Sequence, residues 1–84
     1  MPLKVLKFQE RTKHFRNHSF RAVKFAQHYL QNRWPQMESL ILQNPYDSYL
    51  YSRDVLKERW IEAEENIKQD YITWGIYKEL WNIK

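Results

Sequence analysis

The sequence predicts an all-α protein, and three observations carry this prediction. The 84 residues include a single glycine, so the glycine-containing turns of β-hairpins and the glycine-rich loops that bind phosphate are both missing. Apolar residues recur at helical spacing, and a residue pattern repeats every 26 positions. Aromatic residues make up 17% of the chain, which supplies large apolar side chains for a core.

The 26-residue repeat is clearest where Arg33-Trp34 recurs as Arg59-Trp60. The same spacing relates Glu38 to Glu64, Ile41 to Ile67 and Tyr51 to Tyr77. A weaker first copy begins at Lys7-Phe8. We therefore predict one domain, 1–84, made of three stacked helical-hairpin repeats at about 7–32, 33–58 and 59–84, a short α-solenoid-like array of about six short helices.

The first unit contains two amphipathic helices. In the second of them, at about 19–32, an apolar stripe opposes a basic face. The residues assigned to this stripe are Ala22, Val23, Ala26, Tyr29 and Leu30. Phe15 and Phe25 also occupy positions typical of a core.

Helix boundaries in the other two units follow from proline and capping residues. Pro35 suits the first turn of a helix over 35–42, and Asn44 followed by Pro45 predicts the start of a helix over about 46–57. Asp70 is the expected cap of a last helix over 71–81. We assign Trp34, Trp60, Tyr51, Tyr77 and Trp81 to the packing between units, and Gly75 to a close approach of a neighbouring ring.

The charge is unevenly distributed and is the strongest indication of function. Residues 1–32 contain seven Lys and Arg against Glu10 alone, a net charge of +6, and also all three histidines. Segments 33–58 and 59–84 each carry a net charge of −1. This basic lobe, 1–32, indicates an anionic partner. The side chains expected to bind it are Lys4, Lys7, Arg11, Lys13, Arg16, Arg21, Lys24 and His28.

The residue types present in the chain disfavour most kinds of catalytic and metal-binding site. Without cysteine there is neither a thiolate nucleophile nor a Cys-ligated zinc site. Glu10, His14 and His18 share a helical face at i, i+4 and i+8, but no second-shell acid accompanies them. The acids Glu62, Glu64 and Glu65 are typical of a first helical turn. We expect no catalytic residues, no metal and no cofactor, and predict that the protein is not an enzyme.

The run RWPQMESLILQNPYDSYLYSRDVLKERWIEAEENI resembles the short Arg-Trp-Pro-Glu-Ala-Glu repeats of small proteins of tailed bacteriophages. Asn44-Pro45 stands where those repeats have Asp-Pro, and the third copy lacks the proline at Ile61 and Tyr71. This resemblance implies a phage origin and a helical repeat fold, and no activity. In size and charge alone, the chain is also similar to the T-even phage inhibitor of a type III toxin–antitoxin endoribonuclease.

Together these observations predict a small binding protein whose basic lobe binds RNA, a host nuclease or another host defence protein, and so inhibits a host defence. One alternative is a protein–protein adaptor that docks on an acidic partner without nucleic acid. A second is a structural protein that self-assembles as a homo-oligomer. No apolar run approaches the ~18 residues of a membrane span, and the first residues lack the apolar stretch typical of a signal peptide. We therefore expect a cytoplasmic protein, in the host bacterial cytoplasm if a phage encodes it.

Overall fold

A computed structural model describes residues 18–84, and within this range the chain is helical, with no β-strand. The all-α prediction is confirmed. Helix α1 covers 18–25 and continues into a π-helical turn, Ala26–Leu30. The elements that follow are α2 at Pro35–Leu42, α3 at Pro45–Tyr51 with a π-helical turn at Ser52–Leu56, a 3₁₀ turn at Ile61–Ala63, α4 at Glu64–Ile67 and α5 at Tyr71–Trp81.

The starts of α2 and α3 follow from local chemistry. Pro35 and Pro45 lie in the first turns of α2 and α3, where a missing N–H costs nothing. The Asn44 side chain accepts a hydrogen bond from the Asp47 N–H at 3.0 Å, which confirms the predicted cap. Asp70 is different, because its carboxylate accepts from the Thr73 hydroxyl at 2.8 Å and from no backbone N–H of α5.

Two helices end in the same unusual way. The π-helical turns Ala26–Leu30 and Ser52–Leu56 are each followed by a left-handed residue, Gln31 with φ 51° and Lys57 with φ 58°. The N–H of each left-handed residue donates to the first carbonyl of its turn. Such an end satisfies carbonyl groups that would otherwise lack donors and reverses the chain toward the next helix.

The π-helical turn of α1 corrects the predicted core of the first unit. Ala22, Val23 and Ala26 are buried as expected, whereas Tyr29 and Leu30 are exposed. The expected positions assumed 3.6 residues per turn, and the wider i→i+5 turn rotates the residues after Ala26 away from the core. Phe25, assigned to the core, is also exposed over 42% of its surface.

The core is built around α3, which contacts α2, α4 and α5. Its residues Ser48, Tyr51 and Ser52 are completely buried. The apolar core residues are Ala22, Val23, Ala26, Ile41, Tyr49, Leu50, Tyr51, Trp60, Ala63, Ile67 and Tyr77. The five aromatic residues predicted to pack between units differ in burial. Tyr51, Trp60 and Tyr77 are buried, whereas Trp34 and Trp81 are half-buried.

The C-terminal end packs back on this core. The indole N–H of Trp81 donates to the Ser52 hydroxyl at 3.3 Å, and Trp81 and Ile83 lie against the buried cluster. These contacts join the last helix to α3. The array of three hairpins itself stays a prediction, since residues 7–17 of its first unit lie outside the described range.

The single glycine does not have the packing role that we expected. Apart from its two chain neighbours, a Cβ added to Gly75 would meet no atom within 4 Å, so no ring from elsewhere in residues 18–84 approaches it closely. Gly75 lies in the middle of α5, where glycine costs up to about 1 kcal/mol relative to alanine. We therefore expect Gly75→Ala to raise the free energy of unfolding by about 0.5–1 kcal/mol in urea denaturation.

Glu79→Ala is the control, because it alters an exposed position of the same helix one turn later and should change stability by less than about 0.5 kcal/mol. A loss of stability in Gly75→Ala would contradict the open space seen at this position.

Candidate nucleic-acid interface

A partly buried hydrogen-bond network joins the loop, the short helix and the long helix of the second unit. The Trp34 N–H donates to the Tyr51 hydroxyl at 2.6 Å, and that hydroxyl donates to a carboxylate oxygen of Glu38 at 2.8 Å. Arg33 completes the network with two hydrogen bonds to the same carboxylate, at 2.8 and 3.0 Å. The partly buried polar groups of this network, the Tyr51 hydroxyl and the Glu38 carboxylate, therefore both have partners.

The same network occurs in the third unit, 26 residues later. The Trp60 N–H donates to the Tyr77 hydroxyl at 2.9 Å, and that hydroxyl donates to Glu64 at 2.8 Å. Arg59 donates two hydrogen bonds to Glu64, both at 2.8 Å. The 26-residue repeat of the sequence relates these residues to one another, but it does not show that they are in contact.

The network changes the pKa of its members. Burial opposes ionisation of Glu38, yet the hydrogen bonds from Arg33 and Tyr51 outweigh it and lower the pKa of this carboxyl below its ordinary value. At Glu64 the hydrogen bond from Arg59 is the main cause of a lowered pKa. Burial, together with donation to Glu64, raises the pKa of Tyr77 to about 12.

Three arginines are neutralised within the molecule. Arg33 and Arg59 pair with Glu38 and Glu64, and Arg53 pairs with Asp54 through two hydrogen bonds at 2.8 and 3.0 Å. In such bidentate pairs both hydrogen bonds are charge-assisted, and the arginine's charge is compensated locally. These arginines therefore contribute little to an attraction for an external anion.

The predicted site lies partly within the described residues. Lys4, Lys7, Arg11, Lys13 and Arg16 precede residue 18 and lie outside them. Of the remaining three, Arg21 and His28 are exposed, and Lys24 is half-buried, with its ammonium 3.3 Å from the Gln27 side-chain oxygen. Within 18–84 none of the three forms a salt bridge. The positive charge of Arg21 and Lys24 is thus not compensated by a direct ion pair there.

Arg21 and His28, which the sequence placed on a single basic face, line two different cavities. Arg21 lines an apolar groove, whereas His28 lines a polar cleft with Arg53, Asp54 and Lys57. Lys24 and His28 are close enough to Asp54 to help Arg53 lower the pKa of its carboxyl. In this polar cleft Arg53 and Asp54 neutralise one another, which leaves Lys57 as its remaining charged side chain.

The apolar groove has a volume of about 330 Å³ and lies between α1 and the start of α2. Its lining residues are His18, Arg21, Ala22, Phe25, Trp34 and Met37. Phe25 is also the middle ring of a row of three: its centroid is 5.1 Å from that of Tyr29 and 5.1 Å from that of Trp34. Sequence reasoning missed this surface because it assigned Phe25 and Tyr29 to the core.

The acidic residues near Trp60 are used within the fold. Glu62, Glu64 and Glu65 lie in first helical turns, as predicted, where they complement the positive end of the helix dipole. Glu64 bonds Arg59 and Tyr77, and Glu65 pairs with Lys68. In residues 18–84 no group of three His, Asp or Glu side chains is arranged to hold a metal ion. The set Glu10, His14 and His18 lies mostly outside this range.

Comparisons with protein-family models, curated proteins and solved structures find no match to this chain. The similarity to phage repeats therefore stays a prediction. Over the described part of the chain, no helix combines the length and apolar character needed to cross a membrane.

The buried network predicts that stability is lost at both ends of the pH range. Glu38 and Glu64 have lowered pKa values in the folded state, so their stabilisation is present above the ordinary value of 4.5 and is lost as pH falls through the folded values. Tyr77 has a raised pKa, so its stabilisation is present below pH 10.0 and is lost as pH rises toward about 12. Urea unfolding measured from pH 3 to 11 should show both declines.

Tyr77→Phe tests the alkaline decline. This variant leaves the Trp60 N–H without its acceptor and should lose roughly 1–3 kcal/mol of unfolding free energy at neutral pH. Its stability should then fall less steeply above pH 10 than that of the wild type. The control Tyr71→Phe removes an exposed hydroxyl and should keep the wild-type profile. If both variants show the same profile, the Tyr77 hydroxyl does not hold the network together.

Proposed function

We propose that the protein binds RNA through its basic lobe, 1–32, by contacts to the phosphate backbone. The observation that carries this proposal is the difference in charge compensation along the chain. The arginines Arg33, Arg53 and Arg59 are each paired with a carboxylate, whereas Arg21 and Lys24 form no salt bridge within 18–84. The sequence adds five more lysines and arginines to this lobe before residue 18.

Electrostatics accounts for how such a lobe would act. Each phosphate that a lysine or arginine neutralises releases a counterion, so the affinity falls as salt rises, with a slope of about −0.7 per phosphate for single strands. Backbone contacts of this kind are independent of base sequence. RNA is favoured over duplex DNA because the chain lacks a recognition helix with base-reading Asn, Gln and Arg residues behind a glycine turn.

A narrower hypothesis follows from the resemblance to phage proteins alone. In the bacterial cytoplasm, binding to an RNA or to the host nuclease that carries it would inhibit a host defence such as a toxin endoribonuclease. An acidic host protein is the competing partner for the same basic lobe. The two partners differ in one measurable respect, because binding that survives ribonuclease treatment of a lysate needs no RNA.

Arg21→Glu combined with Lys24→Glu tests whether the basic side chains of α1 bind RNA. Each change replaces an attraction to phosphate with a repulsion, so the affinity for a labelled RNA oligonucleotide should fall at least about tenfold at low salt. Helicity should be retained, because Arg21 is exposed and Lys24 is half-buried, outside the core cluster. Fluorescence anisotropy gives the affinity, and circular dichroism gives the helicity.

Lys68→Glu combined with Lys84→Glu is the matched control. It changes the net charge by the same amount at exposed positions in the third unit, and should bind RNA nearly as well as the wild type. Equal losses in the two double variants would place the effect in the overall charge and would refute the basic lobe as the site. Binding that does not change with salt would refute it as well.

A further inference from the structure

The row Tyr29, Phe25 and Trp34 is the most accessible set of stacked aromatic rings near the basic residues of α1. Tyr29 is exposed over 78% of its surface and Phe25 over 42%, while Trp34 is half-buried. The ring planes of Phe25 and Tyr29 are inclined by 25°, and those of Phe25 and Trp34 by 37°. The three rings thus form a nearly continuous apolar step on the surface.

Exposure of such rings to water is unfavourable, and their burial against a flat apolar partner lowers the free energy. Arg21 stands beside the row, at the edge of the groove that Phe25 and Trp34 line with Ala22 and Met37. A partner that fits both features must combine flat apolar faces with negative charge. Single-stranded nucleic acid has this composition, because every unpaired base offers a π-face next to a phosphate.

We propose that this aromatic row is a stacking platform for unpaired bases, so that the protein selects single-stranded RNA over a duplex. The proposal rests on the proposed function, since RNA binding by the basic lobe brings the strand to α1. One base would stack on the exposed face of Tyr29 or Phe25, and the adjacent phosphate would face Arg21. In a duplex the bases are already stacked on one another and present no free face to these rings.

The exposed tyrosines outside α1 lie in a different charge environment. Tyr46 lies 5.7 Å from Tyr49, whose ring is covered by Arg53, and Arg53 is itself paired with Asp54. Tyr71, exposed over 88% of its surface, lines a shallow cavity of about 300 Å³ that contains both Lys78 and Glu79. An acidic side chain is thus present at each of these two sites, whereas the groove that Arg21 lines beside Phe25 and Trp34 contains none among the described residues.

Phe25→Leu combined with Tyr29→Leu tests the platform, because it removes two rings and keeps every charge. The affinity for a labelled 12-nucleotide oligouridine should fall about 10- to 100-fold, with an unchanged salt slope. The wild type should bind this strand at least tenfold more tightly than a duplex RNA of the same length, or than an abasic strand with the same number of phosphates. Tyr46→Leu combined with Tyr71→Leu is the matched control and should bind as the wild type does.

Tyr29→Leu alone gives a second test that avoids any effect on folding, because this side chain is almost entirely outside the packed core. It should lose a measurable part of the affinity for oligouridine and none for the abasic strand. Equal wild-type affinities for oligouridine and the abasic strand would refute the stacking platform and would leave phosphate binding by the basic lobe intact. The apolar groove would then be a site for a protein side chain. If the wild type binds none of the nucleic acids, the proposed function fails, and the platform fails with it.

Discussion

A tyrosine hydroxyl shared between a backbone N–H and a carboxylate is the contact on which the second and third units depend. Through Tyr51 and Tyr77, one group in each unit joins the loop before the short helix, the short helix itself and the long helix. Helices of this length are marginal alone, so their stability comes from such tertiary contacts. At the position 26 residues before Tyr51 the sequence has Phe25, which lacks the hydroxyl that the network requires.

The network also determines which charges are available to a partner. By binding Glu38 and Glu64, it places the guanidinium groups of Arg33 and Arg59 against carboxylates that are themselves held by tyrosine. Arg33 and Arg59 are thereby paired with carboxylates within the second and third units. In the first unit the residue at the tyrosine position is a phenylalanine with an exposed ring, next to basic side chains that have no carboxylate partner in 18–84. One change of residue type thus accompanies a change from a structural role to a candidate binding surface.

Local features of the fold could be predicted from the sequence, and features that depend on tertiary geometry could not. Proline at first helical turns and the Asn44 cap act within four residues, so the starts of α2 and α3 were predicted closely. The helix predicted to run to about 57 instead changes to a π-helical turn after Tyr51. The π-helical turns have no comparable side-chain signal, and for that reason Tyr29 and Leu30 were wrongly assigned to the core. The charge of the basic lobe was evident from composition, but the structure was required to show that Arg21 and His28 line different cavities.

The central claim is that α1 presents a basic and aromatic surface to a single strand, and a nuclear magnetic resonance titration with oligouridine tests it most directly. We expect chemical-shift changes at the Arg21 side chain, the Phe25 and Tyr29 rings and the Trp34 indole. The signal of the Trp60 indole, which is only 2% exposed, should not shift. Shifts confined to the face of α5 that carries Tyr71, or no shifts at any concentration that saturates a comparable basic protein, would show that α1 is not the binding surface.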